Sequence, residues 1–78
     1  MKAEVIKRVA DREYMVEVQS KKGIAYGHFT HIGEAKKDFC FTSGEAPTLD
    51  VDTTKIIREE IRRFEVLGHD NYKKYIAG

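Results

Sequence analysis

Seventy-eight residues allow one domain with a thin core, because a chain of this size buries only about 60 to 65% of the surface its unfolded form exposes and needs nearly every large apolar side chain inside. Fourteen basic and 13 acidic side chains leave a net charge of +1, which excludes a global pull toward nucleic acid or an anionic membrane. The single cysteine, Cys40, excludes an internal disulfide and suits a reducing compartment; no apolar run approaches the roughly 20 residues of a membrane span, and "MKAEVIKRV" lacks a signal-peptide core, so a cytoplasmic location is expected.

In chain order, "AEVIKRVADREYMVEVQ" places Ala3, Val5 and Val9 on one parity and then Tyr14, Val16 and Val18, the period of two of half-buried strands. The polar "ADRE" between them reads as a hairpin turn. "SKKG" makes a second turn, with Gly23 available for a positive φ, and "IAYGHFTHI" is a third β-rich run. "GEAKKD" reads as a loop or a single helical turn, and "FCFT" as a short fourth strand. "SGEAPTLDVD", with the only proline and three acids, is the crossing from sheet to helix.

From Thr53 the period changes. Ile56, Ile57, Ile61, Phe64 and Leu67 fall on one side at helical spacing, and Lys55, Arg58, Glu59, Arg62 and Arg63 on the other. Asp52 or Thr53 is the expected cap, Gly68 the expected stop, and Glu59 is placed to pair with Arg63. "HDNYKKYIAG" reads as a last short helix capped by Asp70 or Asn71. The expected architecture is α+β: an antiparallel meander of three to four strands, packed on one face by a C-terminal amphipathic helix, with a short final helix. It is a single domain over 1–78, divided into a sheet (1–44), an acidic loop (45–52) and a helical part (53–78).

Little chemistry is written into these residues. His28 and His31 are three apart, so on a strand they point to opposite faces and cannot share a metal; no zinc-finger spacing includes Cys40 or His69. No metal or cofactor is expected. A nucleophile needs a positioned base, and only scattered candidates such as Cys40 with His28 or His31 are visible, while P-loop, dinucleotide and HExxH patterns are missing. An unpaired cysteine is more often a small buried hydrophobe. The chain is therefore expected not to be an enzyme.

"KGIAYGHF" partly resembles the octapeptide of RNA-recognition motifs at Lys22, Gly23, Ala25, Tyr26 and Phe29, and departs from it at Ile24 and Gly27. "HFTHI" is similar to the His-Phe-Ser strand of cold-shock domains. Neither likeness extends to the surroundings. An RNA-recognition motif places a helix between its first two strands, where a tight hairpin is predicted here, and a cold-shock barrel has no long final helix. What the residues themselves predict is a strand on which Tyr26 faces the covering helix, while Phe29 and His31 face outward near Lys21 and Lys22. The alternative is that both rings are core. The basic pairs Lys21-Lys22, Lys36-Lys37, Arg62-Arg63 and Lys73-Lys74 each have acids nearby, the pattern of a solvated face.

One sheet face is left uncovered, carrying Ile6, Met15 and Phe29 among Glu4, Arg8, Glu13 and Glu17. The functional expectation is a small non-catalytic binding module that occupies a macromolecular partner, a protein first, as small regulators and phage-type inhibitors do. The alternative is a nucleic-acid-binding module using the basic, aromatic third strand. The binding residues expected are Lys21, Lys22, Phe29, His31, Ile6 and Met15, and a homodimer is the expected assembly.

Overall fold

The structure, a computed structural model, describes residues 1–29 and 39–78. Its elements are β1 (Lys2–Ala10), β2 (Glu13–Ser20), β3 (Gly23–Phe29), β4 (Phe39–Gly44), α1 (Val51–Leu67) and α2 (His69–Ala77). The strands form one antiparallel sheet in the order β1-β2-β3-β4, and both helices lie on one side of it. This is the α+β meander that the two periodicities predict. The "GEAKKD" segment, His31 and the Lys36-Lys37 pair lie outside the described residues.

Two tight turns join the first three strands. Asp11 and Arg12 close the first, with Arg12 at a left-handed φ of 61°. Lys21 and Lys22 close the second, where the Lys22 amide donates to Ser20 Oγ at 3.2 Å and Gly23 adopts a φ of 134°. The alternation read from β1 fails beyond Val5, because register shifts between Val5 and Lys7 and between Arg8 and Ala10 make Ile6 and Val9 the extra residues of bulges. Val9 is exposed rather than sharing the face of Ala3 and Val5.

The core is a single layer of side chains. Ala3, Val5, Tyr14, Val16, Val18 and Phe29 come from the sheet; Ile57, Ile61 and Phe64 from α1; and Tyr72 from α2. Phe64 sits edge-on to both Tyr14 (5.5 Å between centroids) and Tyr72 (5.3 Å), the geometry that the ring quadrupoles favour. Leu67, expected on this stripe, lies at the partly exposed end of α1 instead.

Helix ends differ from expectation by a residue or two. Asp50 caps α1, its carboxylate accepting from the Thr53 amide at 2.8 Å, so the helix begins inside the predicted acidic loop. Gly68, at φ 83°, ends α1 with its amide donating to Phe64 O, and its own carbonyl accepts from Tyr72 N to open α2. One glycine thus serves both helices, and α2 has no side-chain cap. Arg63 pairs with Glu60, one turn back, rather than with Glu59.

β1 is an edge strand, and α2 covers part of it. The Tyr72 hydroxyl accepts from Val5 N at 2.9 Å and donates to Glu60 Oε1 at 3.0 Å. Lys73 Nζ donates to Val5 O at 3.1 Å and lies 3.7 Å from Glu4. Both backbone groups of Val5 are therefore occupied by side chains, which blocks strand addition there.

Two outcomes follow from this packing. Ile61→Ala removes fully buried methylenes from the interface of helix and sheet, so it costs about 2 to 5 kcal/mol in denaturant unfolding, while Arg62→Ala on the exposed side costs little. Equal, small effects at both positions would show that the helix is not packed in this way. The Asp50 carboxyl is held below the ordinary aspartate range, chiefly by the Thr53 backbone amide. Its contribution to stability is complete above the unfolded aspartate pKa of about 4 and is lost as pH falls through the lower folded value. Asp50→Asn still caps but does not titrate, so its unfolding midpoint falls less between about pH 5 and 2 than that of the native chain; identical acid limbs would show that the cap does not form.

Candidate functional site

The face of the sheet away from the helices is built by strand parity and register. One row runs Lys7, Met15, His28, Cys40 across the four strands, and the next runs Glu4, Glu17, Tyr26, Ser43. Ile24, beside Gln19, extends the surface toward the second turn. Tyr26 is 38% exposed and Ile24 46%, while Ile6, Met15, His28 and Cys40 are half-buried. Apolar and polar groups thus alternate over a surface on which no described helix packs.

Its polar groups are tied to one another. The Tyr26 hydroxyl donates to Glu17 Oε1 at 2.9 Å, and that bond to a carboxylate raises the phenol's pKa. His28 Nδ1 lies 3.5 Å from Glu13 Oε1 on the neighbouring strand. Glu4 and Glu17 are direct cross-strand partners, an unfavourable juxtaposition of like charges. Lys73 beside Glu4 and the Tyr26 hydroxyl on Glu17 offset it. His28 and Cys40 oppose each other in register, yet among the described residues no group of three His, Cys, Asp or Glu side chains is placed to hold a metal ion.

Phe29 and Tyr26 exchange the faces expected of them. Ala25, Gly27 and Phe29 point toward the helices and are buried, Phe29 with 0% exposure, while Ile24, Tyr26 and His28 point away. The reason lies in Gly27. A Cβ there would stand 2.5 Å from the Phe29 ring and 2.5 Å from the Cys40 carbonyl, so the absent side chain is the space that the Phe29 ring fills. Phe29 then meets Phe41 edge-on at 5.3 Å. A bulge does occur beside Gly27, but its extra residue is Thr42 in β4, so the parity of β3 runs unbroken.

Of the predicted binding residues, Ile6 and Met15 reach the open face, Phe29 belongs to the core, and His31 lies outside the described residues. Lys21 and Lys22 are exposed at the second turn. That turn is at the opposite end of β3 from Phe29, roughly 20 Å away at the rise of a strand, so the structure does not gather lysines and Phe29 into one patch. Tyr26, Ile24, His28 and Cys40 take their place on the open face. The same alternation identifies them once the covered parity is known.

No family model, curated protein or solved structure matches the chain.

The two aromatic residues of β3 separate cleanly in a stability measurement. Phe29→Ala empties a fully buried site and costs about 3 to 5 kcal/mol, whereas Tyr26→Ala removes a half-exposed ring and leaves stability within about 1 kcal/mol of the native chain. Comparable losses by denaturant unfolding would place both rings in the core.

Proposed function

We propose that this chain is a small, non-catalytic binding module that acts by occupying a protein partner with the open face of its sheet, in the manner of a regulator or inhibitor. The observation that carries this reading is the placement of Met15, Ile24 and Tyr26 on one face that the described helices leave uncovered, interspersed with charges of both signs. A half-exposed tyrosine with its hydroxyl already oriented loses little conformational entropy on binding, which suits it to anchor a protein interface.

The nucleic-acid alternative is weaker on the same face. Tyr26 would have to stack a base while Glu4, Glu13 and Glu17 stand beside the phosphates, and Lys21 and Lys22 lie beyond the end of the strand. Among the described residues no helix is long and apolar enough to cross a membrane. A single cysteine and a mixed-charge surface fit a cytoplasmic module. A second copy of the chain, paired face to face about a two-fold axis, competes with that partner for the same face and gives a homodimer in its absence.

The test is retention of partners from native extract on the tethered chain, with and without nuclease, compared with a Met15→Asp/Tyr26→Ala double variant. The expected result is a protein retained after nuclease, lost with the double variant, and only modestly sensitive to salt. Loss on nuclease treatment with a steep fall in affinity as salt rises would favour nucleic acid instead. Light scattering across a dilution series reads the homodimer directly: a constant mass near the 9.0 kDa of one chain excludes it.

A further inference from the structure

The sheet has two edges, and they are not alike. On β1 the side chains of Tyr72 and Lys73 occupy both backbone groups of Val5, and bulges at Ile6 and Val9 interrupt the ladder on either side of Lys7 and Arg8. Among the described residues nothing pairs with the outer side of β4. Thr42, Ser43 and Gly44 are exposed there, and Phe39–Gly44 contains no charged residue and no proline, two of the usual guards of an edge strand. The ladder assigns the outward groups. Glu45 N donates to Ile24 O at 2.9 Å and Thr42 Oγ1 to Tyr26 O at 3.3 Å, so Ile24, Tyr26 and His28 turn their backbone groups toward β4. Cys40, opposite His28, turns its own groups inward, and those of Phe39 and Phe41 therefore point outward. Past Phe41 the bulge at Thr42 ends the regular alternation.

We infer that this edge pairs with the same edge of a second copy, β4 antiparallel to β4 about a two-fold axis at Cys40. Exposed backbone donors and acceptors at strand spacing call for another extended strand. With the axis at Cys40, Phe39 of each copy lies opposite Phe41 of the other, and the outward N–H and C=O groups of both residues in both copies are used. An axis at Phe41 would instead set Phe39 against Ser43, whose groups are turned toward β3. A foreign strand would have to supply the same short pattern, whereas a second copy supplies it by symmetry. No charges meet at the axis. The pairing also covers Phe41, which is half-buried at the margin of the core against Phe29. Because β1 is closed at Val5, the contact stops at two copies. The open face stays available to the partner proposed for it, and the inference does not rest on that partner.

The experiment is amide hydrogen exchange on the full chain, alone in solution, at about 10 µM and about 1 mM, beside light scattering at the same concentrations. The mass rises from the 9.0 kDa of one chain toward twice that value. The amides of Phe39 and Phe41 exchange at least about tenfold more slowly in the concentrated sample, while the Val5 amide, bonded to Tyr72 in either, does not change. Cys40→Lys sets like charges opposite each other at the axis and weakens the dimer by about tenfold or more; Cys40→Ser and Met15→Asp leave it intact. Circular dichroism verifies that the variants are folded. The inference is overturned by a constant single-chain mass, by a folded Cys40→Lys variant that dimerises like the native chain, or by a doubled mass with no added protection at Phe39 and Phe41, which would identify face-to-face pairing. Protection of those two amides already in the dilute chain also overturns it, since the edge would then be covered within one copy.

Discussion

The buried hydroxyl of Tyr72 joins three elements, β1, α1 and α2, at one point. It accepts from the Val5 amide of an edge strand and donates to Glu60 of α1, while its ring packs on Phe64. Burial, with the Glu60 carboxylate alongside, pushes the phenol's pKa well up, so the hydroxyl stays protonated and able to donate. A helix of nine residues is marginal by itself in water; this anchor, with Lys73 on the Val5 carbonyl, is what holds α2 in place. The consequences reach both the helical layer and the sheet. Holding α2 against α1 places Tyr75 under Arg63 and forms a shallow groove between the two helices, and filling the hydrogen-bonding positions of Val5 closes part of one sheet edge.

The second constraint is supply. Two helices cover one face of a four-stranded sheet, and the described residues offer no second layer for the other. That open face is stabilised by local pairing rather than by burial: Tyr26 to Glu17, His28 to Glu13, Lys73 to Glu4. Exposed pairs of this kind each contribute little, about 0 to 1 kcal/mol. A partner of the kind proposed for this face would gain mainly from Met15, Ile24 and Tyr26, with the surrounding charges setting its orientation.

The two surfaces differ in character. On the sheet, cation, carboxylate and apolar side chain are interspersed along the rows of the open face. Between the helices, Glu59 and Arg62 stand together at the rim of three apolar side chains, Val66, Leu67 and Tyr75.

Periodicity determined the elements. Alternation in Ala3–Val5 and Tyr14–Val18, the change of period from Thr53 and the punctuation at Gly23 and Gly68 are local properties, and local chemistry is sufficient for them. The same holds for the stripe of Ile57, Ile61 and Phe64, since helical geometry alone puts those side chains together. The structure alone decided which parity of β3 faces the helices, because two alternating sets are equivalent until something packs on one. Ala25 and Gly27 look like the weaker, outward set by hydrophobicity. They are inward because small residues admit the Phe29 ring and allow the helical layer to approach, a fact about space between elements and not about any residue alone. The bulges at Ile6 and Val9, the transfer of the helix cap to Asp50 and the burial of Tyr72 arise in the same way. Each depends on a partner distant in the chain or on a register that neighbouring residues do not encode, so only the tertiary arrangement selects it.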